Sequence, residues 1–260
     1  MDTIIDNSER KSNLLNAVVD TLPDGESVHV SIGTHWTAVV VEVDGEQRCG
    51  LASTLGGSHV HGVADIPQAG QLESLTGLEL AAFTQETQPV MVSVGVAAIN
   101  ALLPQHPSTW TNVNAEEVIA NNGAGKSVAL IGHFPFVSRL RPRVGNLHVL
   151  EIDPQPGDLP ETAAQEILPT ADVVAITAMT LLNRTMEKLL KLCSQDALII
   201  LMGPSTPLSS VFFDNGIDLL CGSIVTDIEP VVRTIQQGGN FRQVHRAGVR
   251  LVTIARPTSR

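Results

Sequence analysis

Two rhythms of apolar residues divide the chain. In the first half Leu14, Leu15, Val18, Val19 and Leu22 recur at helical spacing, which predicts an amphipathic opening helix. Residues 28–32 and 36–43 read as strands, and Asp44-Gly45 supplies a hairpin turn into residues 47–51. Residues 90–103 read as a helix, and its small residues Ser93, Gly95, Ala97 and Ala98 permit close packing on a neighbour. An antiparallel sheet with helices on one face fits this half, an α+β domain.

The second rhythm starts at about Ser127. Residues 128–131, 147–152, 173–177 and 198–202 are short β-branched or leucine-rich runs, suited to parallel strands covered on both faces. Residues 183–193 and 207–215 carry helical periodicity between them, and 219–225 and 249–254 complete the series. This alternation predicts a Rossmann-like parallel α/β domain. The change of period at residues 121–126 places the boundary: an α+β domain over 1–122 and the parallel α/β domain over 123–260.

Composition narrows the function classes. Hydrophobic residues make up 43% and charged residues 17%, as in a compact folded protein. The formal net charge of -11 disfavours a nucleic-acid partner, because phosphate backbones would be repelled. Arg139, Arg141 and Arg143 are a local exception that could draw an anionic ligand, although a solvated helix end explains them as well. The charged start lacks the apolar core of a secretory signal, and no apolar run approaches the ~20 residues that span a bilayer. A soluble cytoplasmic protein with no membrane partner is expected. Cys49, Cys193 and Cys221 are widely spaced and form no CxxC pair, so neither disulfides nor a thiolate metal site is indicated.

Ligands of open α/β sheets bind outside the carboxyl ends of the strands. Those ends here carry Gly132-His133-Phe134-Pro135, Glu151 and Asp153, then Thr177, Thr180 and Asn183, then Gly203-Pro204-Ser205-Thr206-Pro207. Thr206-Pro207 reads as a helix start, with Thr206 capping and Pro207 in the first turn; Ser205 and Thr206 would either only cap or also seat an anion. Glu151 stands where nucleotide-binding folds keep a ribose-gripping carboxylate, although a solvated strand end explains it as well, and in a wet cleft it should contribute little stability. His133 suits a general base, a metal ligand or a plain loop residue. His59 and His61, in a Gly-rich loop, form a weak H-x-H metal pair.

The runs Ile131-Gly132-His133-Phe134-Pro135, Ile167-Leu168-Pro169, Asn183-Arg184-Thr185 and Gly203-Pro204-Ser205-Thr206-Pro207-Leu208 resemble the putative heavy-metal chelation family. In that family the domain follows one of enolase amino-terminal-like fold, and residues 95–100 resemble a helix of that partner. The resemblance implies two domains with a ligand site in the cleft between them. The leading reading is therefore a small-molecule or metal-chelate binding protein, with catalysis left open. Its site would use His133, Phe134, Glu151, Thr177, Asn183, Gly203, Ser205 and Thr206, with Asn100 reaching in from the first domain. A divalent metal ion would be held partly through the ligand's own donors. The alternative is a transferase acting on S-adenosylmethionine, with Glu151 on the ribose. Self-association as a homo-oligomer is left open.

The turn after the first parallel strand lacks the glycines that let a backbone approach pyrophosphate. Calorimetry is expected to find no low-micromolar NAD or FAD binding.

Overall fold

The computed structural model describes residues 13–56, 64 and 66–257. The chain forms two compact units. One comprises the described residues up to Pro104 with Leu181–Arg184 and Ile224–Arg250; the other comprises Gln105–Thr180, Thr185–Ser223 and the described residues from Leu251.

The first unit opens with α1 (Asn13–Val19) and a sheet of β1 (Glu26–Ile32), β2 (Trp36–Val43) and β3 (Glu46–Ser53), followed by α2 (Gly77–Ala81) and α3 (Pro89–Leu102). The sheet order is β1-β2-β3 and both pairings are antiparallel. Asp44 and Gly45 take φ of 54° and 78°, the left-handed pair of a tight hairpin. Helix α3 is buried on nearly all sides, which its apolar composition requires. Its backbone approaches β3 closely, because a Cβ on Gly50 would stand 2.1 Å from the Ala97 carbonyl and 2.3 Å from the Ala101 amide. Gly50 pairs with Val39, so Val39 shares the α3 face of the sheet, while Val40 and Cys49 face the other side.

The second unit contains α4 (Ala115–Gly123), β4 (Ser127–Ile131), α5 (Val137–Leu140), β5 (Asn146–Glu151), β6 (Leu159–Pro160), α6 (Ala164–Ile167) and β7 (Val173–Thr177). It continues through α7 (Met179–Leu182), α8 (Met186–Leu190), β8 (Leu198–Met202), α9 (Val211–Asp214) and β9 (Leu219–Val225). After β9 the chain passes into the first unit as α10 (Ile228–Gln236) and α11 (Phe241–Gly248), then returns along β10 (Val249–Ala255). Among the described residues the larger sheet has seven strands in the order β10-β9-β8-β7-β4-β5-β6. From β6 to β9 neighbouring strands pair in parallel, and β4 is paired on both sides, by β5 and β7. Val128, Leu130, Val149, Val173 and Ala175 join Val118 and Ile119 of α4 in the core.

Two expectations change. The small sheet is covered on both faces: Trp36, Ala38 and Val40 pack against Val231, Ile235 and Val244 of α10 and α11. The run Ala38-Val39-Val40-Val41, apolar at every position rather than alternating, is what such double burial needs. The division into units also falls elsewhere than a single cut between 122 and 123. Residues 105–122 group with the parallel sheet because Val118, Ile119 and Ala120 bury against it, and residues 224–250 group with the small sheet.

The Gly50 approach generates a prediction. Gly50→Ala must displace backbone rather than a flexible side chain, and is expected to destabilise the protein by about 3 kcal/mol in urea unfolding. Gly56→Ala, which meets nothing within 4 Å, should stay within about 0.5 kcal/mol of wild type.

Candidate functional site

Strand β4 ends in a turn that only glycine suits. Gly132 has a φ of +101°, and a Cβ there would press on Thr177 at 3.2 Å. The Gly132 amide donates to the Leu150 carbonyl at 2.9 Å, which ties the turn to the neighbouring strand β5. The next amide, of His133, donates to Glu151 Oε2 at 2.7 Å, and the Ile152 amide donates to Oε1 at 2.8 Å. Glu151 therefore clamps the two strand-end loops together. A carboxylate thus engaged by two backbone amides is a positioning group, and the expectation that it contributes little stability is revised.

The clamp sets the direction of His133. Its Nδ1 lies 2.8 Å from Asp158 Oδ2, which also accepts the Gln155 amide at 3.1 Å. The Asp158 side chain is 1% exposed and that of His133 25% exposed. A buried carboxylate accepting at Nδ1 selects the neutral tautomer that carries its proton there, with the lone pair on Nε2. Asp158 was not visible as a site residue in the sequence; it lies 25 positions after His133, and only the β5–β6 loop carries it back. Phe134 stacks on Phe136 at 5.2 Å and packs against the core, so it supports the loop from beneath.

The remaining candidates are dispersed. Thr177 lies against Gly132, and its carbonyl accepts the Thr180 hydroxyl at 2.7 Å. Gly203 ends β8, where its amide donates to the Cys221 carbonyl and its own carbonyl accepts the Thr206 amide, both at 3.0 Å. No helix starts at Thr206-Pro207. Residues 206–209 are irregular, α9 begins only at Val211, and its four residues have no side-chain cap. The anion seat expected there is corrected accordingly: Thr206 folds back on Gly203, and Ser205 and Thr206 are buried at 2% and 1% exposure. Thr206 Oγ1 has no hydrogen-bond partner among the described residues. Two strands, β4 and β7, separate β5 from β8. Glu151 and Ser205 thus share an edge of the sheet at a remove of about 14 Å, three strand spacings. Asn100 belongs to the first unit, where its side chain donates to the Leu51 carbonyl at 2.8 Å. Asn183 also groups with that unit, beside Arg184, whose guanidinium donates to the Thr84 and Glu86 carbonyls. His59 and His61 lie outside the described residues.

Other ionisable groups supply little to this edge. Arg139 and Arg143 make two-pronged ion pairs with Glu116 and Glu117, and Arg141 donates to the Leu147 carbonyl, so the arginine cluster is engaged within the protein. Burial pushes the Cys49 thiol up to about 12 and those of Cys193 and Cys221 to about 11, which disfavours thiolate ligation. Among the described residues no three His, Cys, Asp or Glu side chains cluster as a metal cage. None of their helices is long and apolar enough to cross a membrane.

Comparison with known proteins agrees with the fold. The DUF364 family model, described as "Putative heavy-metal chelation", matches residues 114–253, and the DUF4213 model, of the same description, matches residues 16–103. The chain belongs to the DUF364 family. It is 27% identical over 230 residues to an uncharacterized protein of Methanocaldococcus jannaschii, covering 85% of this chain and 87% of that one. It is similar to a DUF364-family crystal structure from Desulfitobacterium hafniense, of unknown function, with TM-score 0.76, 28% identity, and coverage of 93% and 96% of the two chains. A second such structure, from Pyrococcus horikoshii, shares the fold with TM-score 0.75, 23% identity, and coverage of 96% and 99%.

The Glu151 clamp can be tested directly. Glu151→Gln replaces one acceptor oxygen by a donor facing an amide, and is expected to cost about 1–2 kcal/mol in chemical denaturation. Hydrogen exchange should show the His133 amide losing protection.

Proposed function

We propose that this protein binds a small-molecule chelate of a divalent metal at the carboxyl edge of its parallel sheet, with His133 Nε2 as the protein's own ligand to the metal. The observation that carries this reading is the 2.8 Å pairing of a partly exposed His133 Nδ1 with the buried Asp158 carboxylate. Metal-binding histidines are oriented in this way, with the second ring nitrogen donating to a carboxylate, because the pairing selects the tautomer and makes the free nitrogen a better donor. The description of the matching family, heavy-metal chelation, agrees with such a ligand.

The donor set decides the form in which metal would arrive. One imidazole makes a poor site for a bare ion, whereas an ion already held by an organic chelator needs only one or two more donors. The organic part would lie along the β4 and β7 ends, where the direction of the crossover connections reverses and Gly132 keeps the turn low. Thr177 ends β7 at that position, and Gly203 follows the neighbouring strand β8. The S-adenosylmethionine reading is not favoured, because the Glu151 carboxylate it assigns to the ribose already accepts two backbone amides.

Calorimetry with Ni²⁺, Co²⁺ and Zn²⁺, each free and as the nitrilotriacetate complex, tests the proposal. The complexes are expected to bind more tightly than the free ions. Asp158→Asn should weaken that binding by about 10–100-fold, the usual cost of removing a metal ligand's hydrogen-bond partner. Equal affinity in His133→Ala and wild type would overturn the assignment.

A further inference from the structure

A second cluster of reactive side chains lies in the first unit, on the edge strand β1. His29 and Ser31 are two residues apart on this strand and project to one face; they pair with Val40 and Ala38, which face α10 and α11. His29 Nε2 is 2.8 Å from Ser31 Oγ. On the other side of the ring, His29 Nδ1 is 3.2 Å from Glu73 Oε1. That carboxylate is anchored, because the same oxygen accepts the Val30 amide at 3.2 Å. The Gln236 side-chain nitrogen, from α10, stands 3.1 Å from both Ser31 Oγ and His29 Nε2.

A neutral His29 ring satisfies every donor and acceptor here. Glu73 accepts from Nδ1–H, so Nε2 carries a lone pair and accepts the Ser31 hydroxyl proton. Gln236 then donates to Ser31 Oγ. This is the order hydroxyl, imidazole, carboxylate that activates a serine, with the imidazole as base and the carboxylate holding its tautomer. Ser31 is 5% exposed, beneath the exposed Gln236, while the His29 side chain is 38% exposed. An incoming group would therefore reach Ser31 past His29 by displacing the Gln236 amide.

We infer that Ser31, His29 and Glu73 form a nucleophilic site that transfers acyl groups from small esters, separate from the proposed chelate site. Ser31 Oγ forms a bond to the carbonyl carbon and its proton passes to His29 Nε2. The carbon–oxygen bond to the leaving alcohol then breaks, and His29 returns the proton to that oxygen. Water, losing its proton to His29, next attacks the acyl carbon, and the proton returns to Ser31 Oγ as the carboxylic acid leaves. The sum is ester plus water giving acid plus alcohol. Glu73 acts through His29 as a positioning residue.

The test uses the intact chain and a fluorophosphonate probe, whose phosphorus would bond to Ser31 Oγ with loss of fluoride. Peptide mapping by mass spectrometry is expected to place the adduct on Ser31 of the wild-type protein. His29→Gln should slow labelling at least about 100-fold, the low end of what a general base contributes. Glu73→Gln should shift the His29 ring nitrogen signals in NMR away from the Nδ1–H tautomer, a change that a merely structural role would not cause. An unlabelled Ser31 in wild type, or labelling as fast in a His29→Gln protein with unchanged melting temperature, would overturn the site.

Discussion

The candidate site depends on one feature of the parallel sheet: β4, its first strand in sequence, is paired on both sides. The chain leaves β4 toward β5 on one side and later enters β7 on the other, so the connections part at the carboxyl ends of these strands. In open α/β sheets ligands bind at such a point. Gly132 sits at the end of β4 with Thr177 against it, and the glycine's missing Cβ is what lets the two loops approach. His133 follows as the first side chain that can project from the turn.

Two carboxylates then divide the work of holding that histidine. Glu151 accepts the backbone amide of His133, and Asp158 accepts from the ring. Both come from β5 and the loop after it, so the imidazole is oriented by one neighbouring strand and its loop. A ring held in this way loses little freedom when it engages a ligand.

The small sheet shows a different use of packing. Its middle strand is buried on both faces, by α3 on one side and by α10 and α11 on the other. The second cover is contributed by a segment that returns from the distant half of the chain after β9. The same return brings Gln236 over β1, where His29, Ser31 and Glu73 meet. An edge strand left to solvent would have kept those side chains hydrated separately. Here a helix on the face and the turn at Leu72–Ser74 beside the edge hold them within hydrogen-bonding distance.

Local pattern determined a good deal. The runs at 173–177, 198–202 and 219–225 are strands with those limits, the hairpin at Asp44-Gly45 forms, and the small residues of α3 allow the approach of β3. These features depend on apolar spacing and turn chemistry, which act between near neighbours. Residues 206–209 show where such reasoning stops: Thr-Pro has the chemistry of a helix start, yet the chain stays irregular there because Thr206 turns back onto Gly203 and is buried. The pairing of His133 with Asp158, the clamp made by Glu151, and the meetings of His29 with Glu73 and of Ser31 with Gln236 were decided by tertiary structure. Each joins residues 18 to 205 positions apart. A hydrogen bond over such a separation exists only once the strands between have taken their places in the sheet, so no local spacing along the chain can encode it.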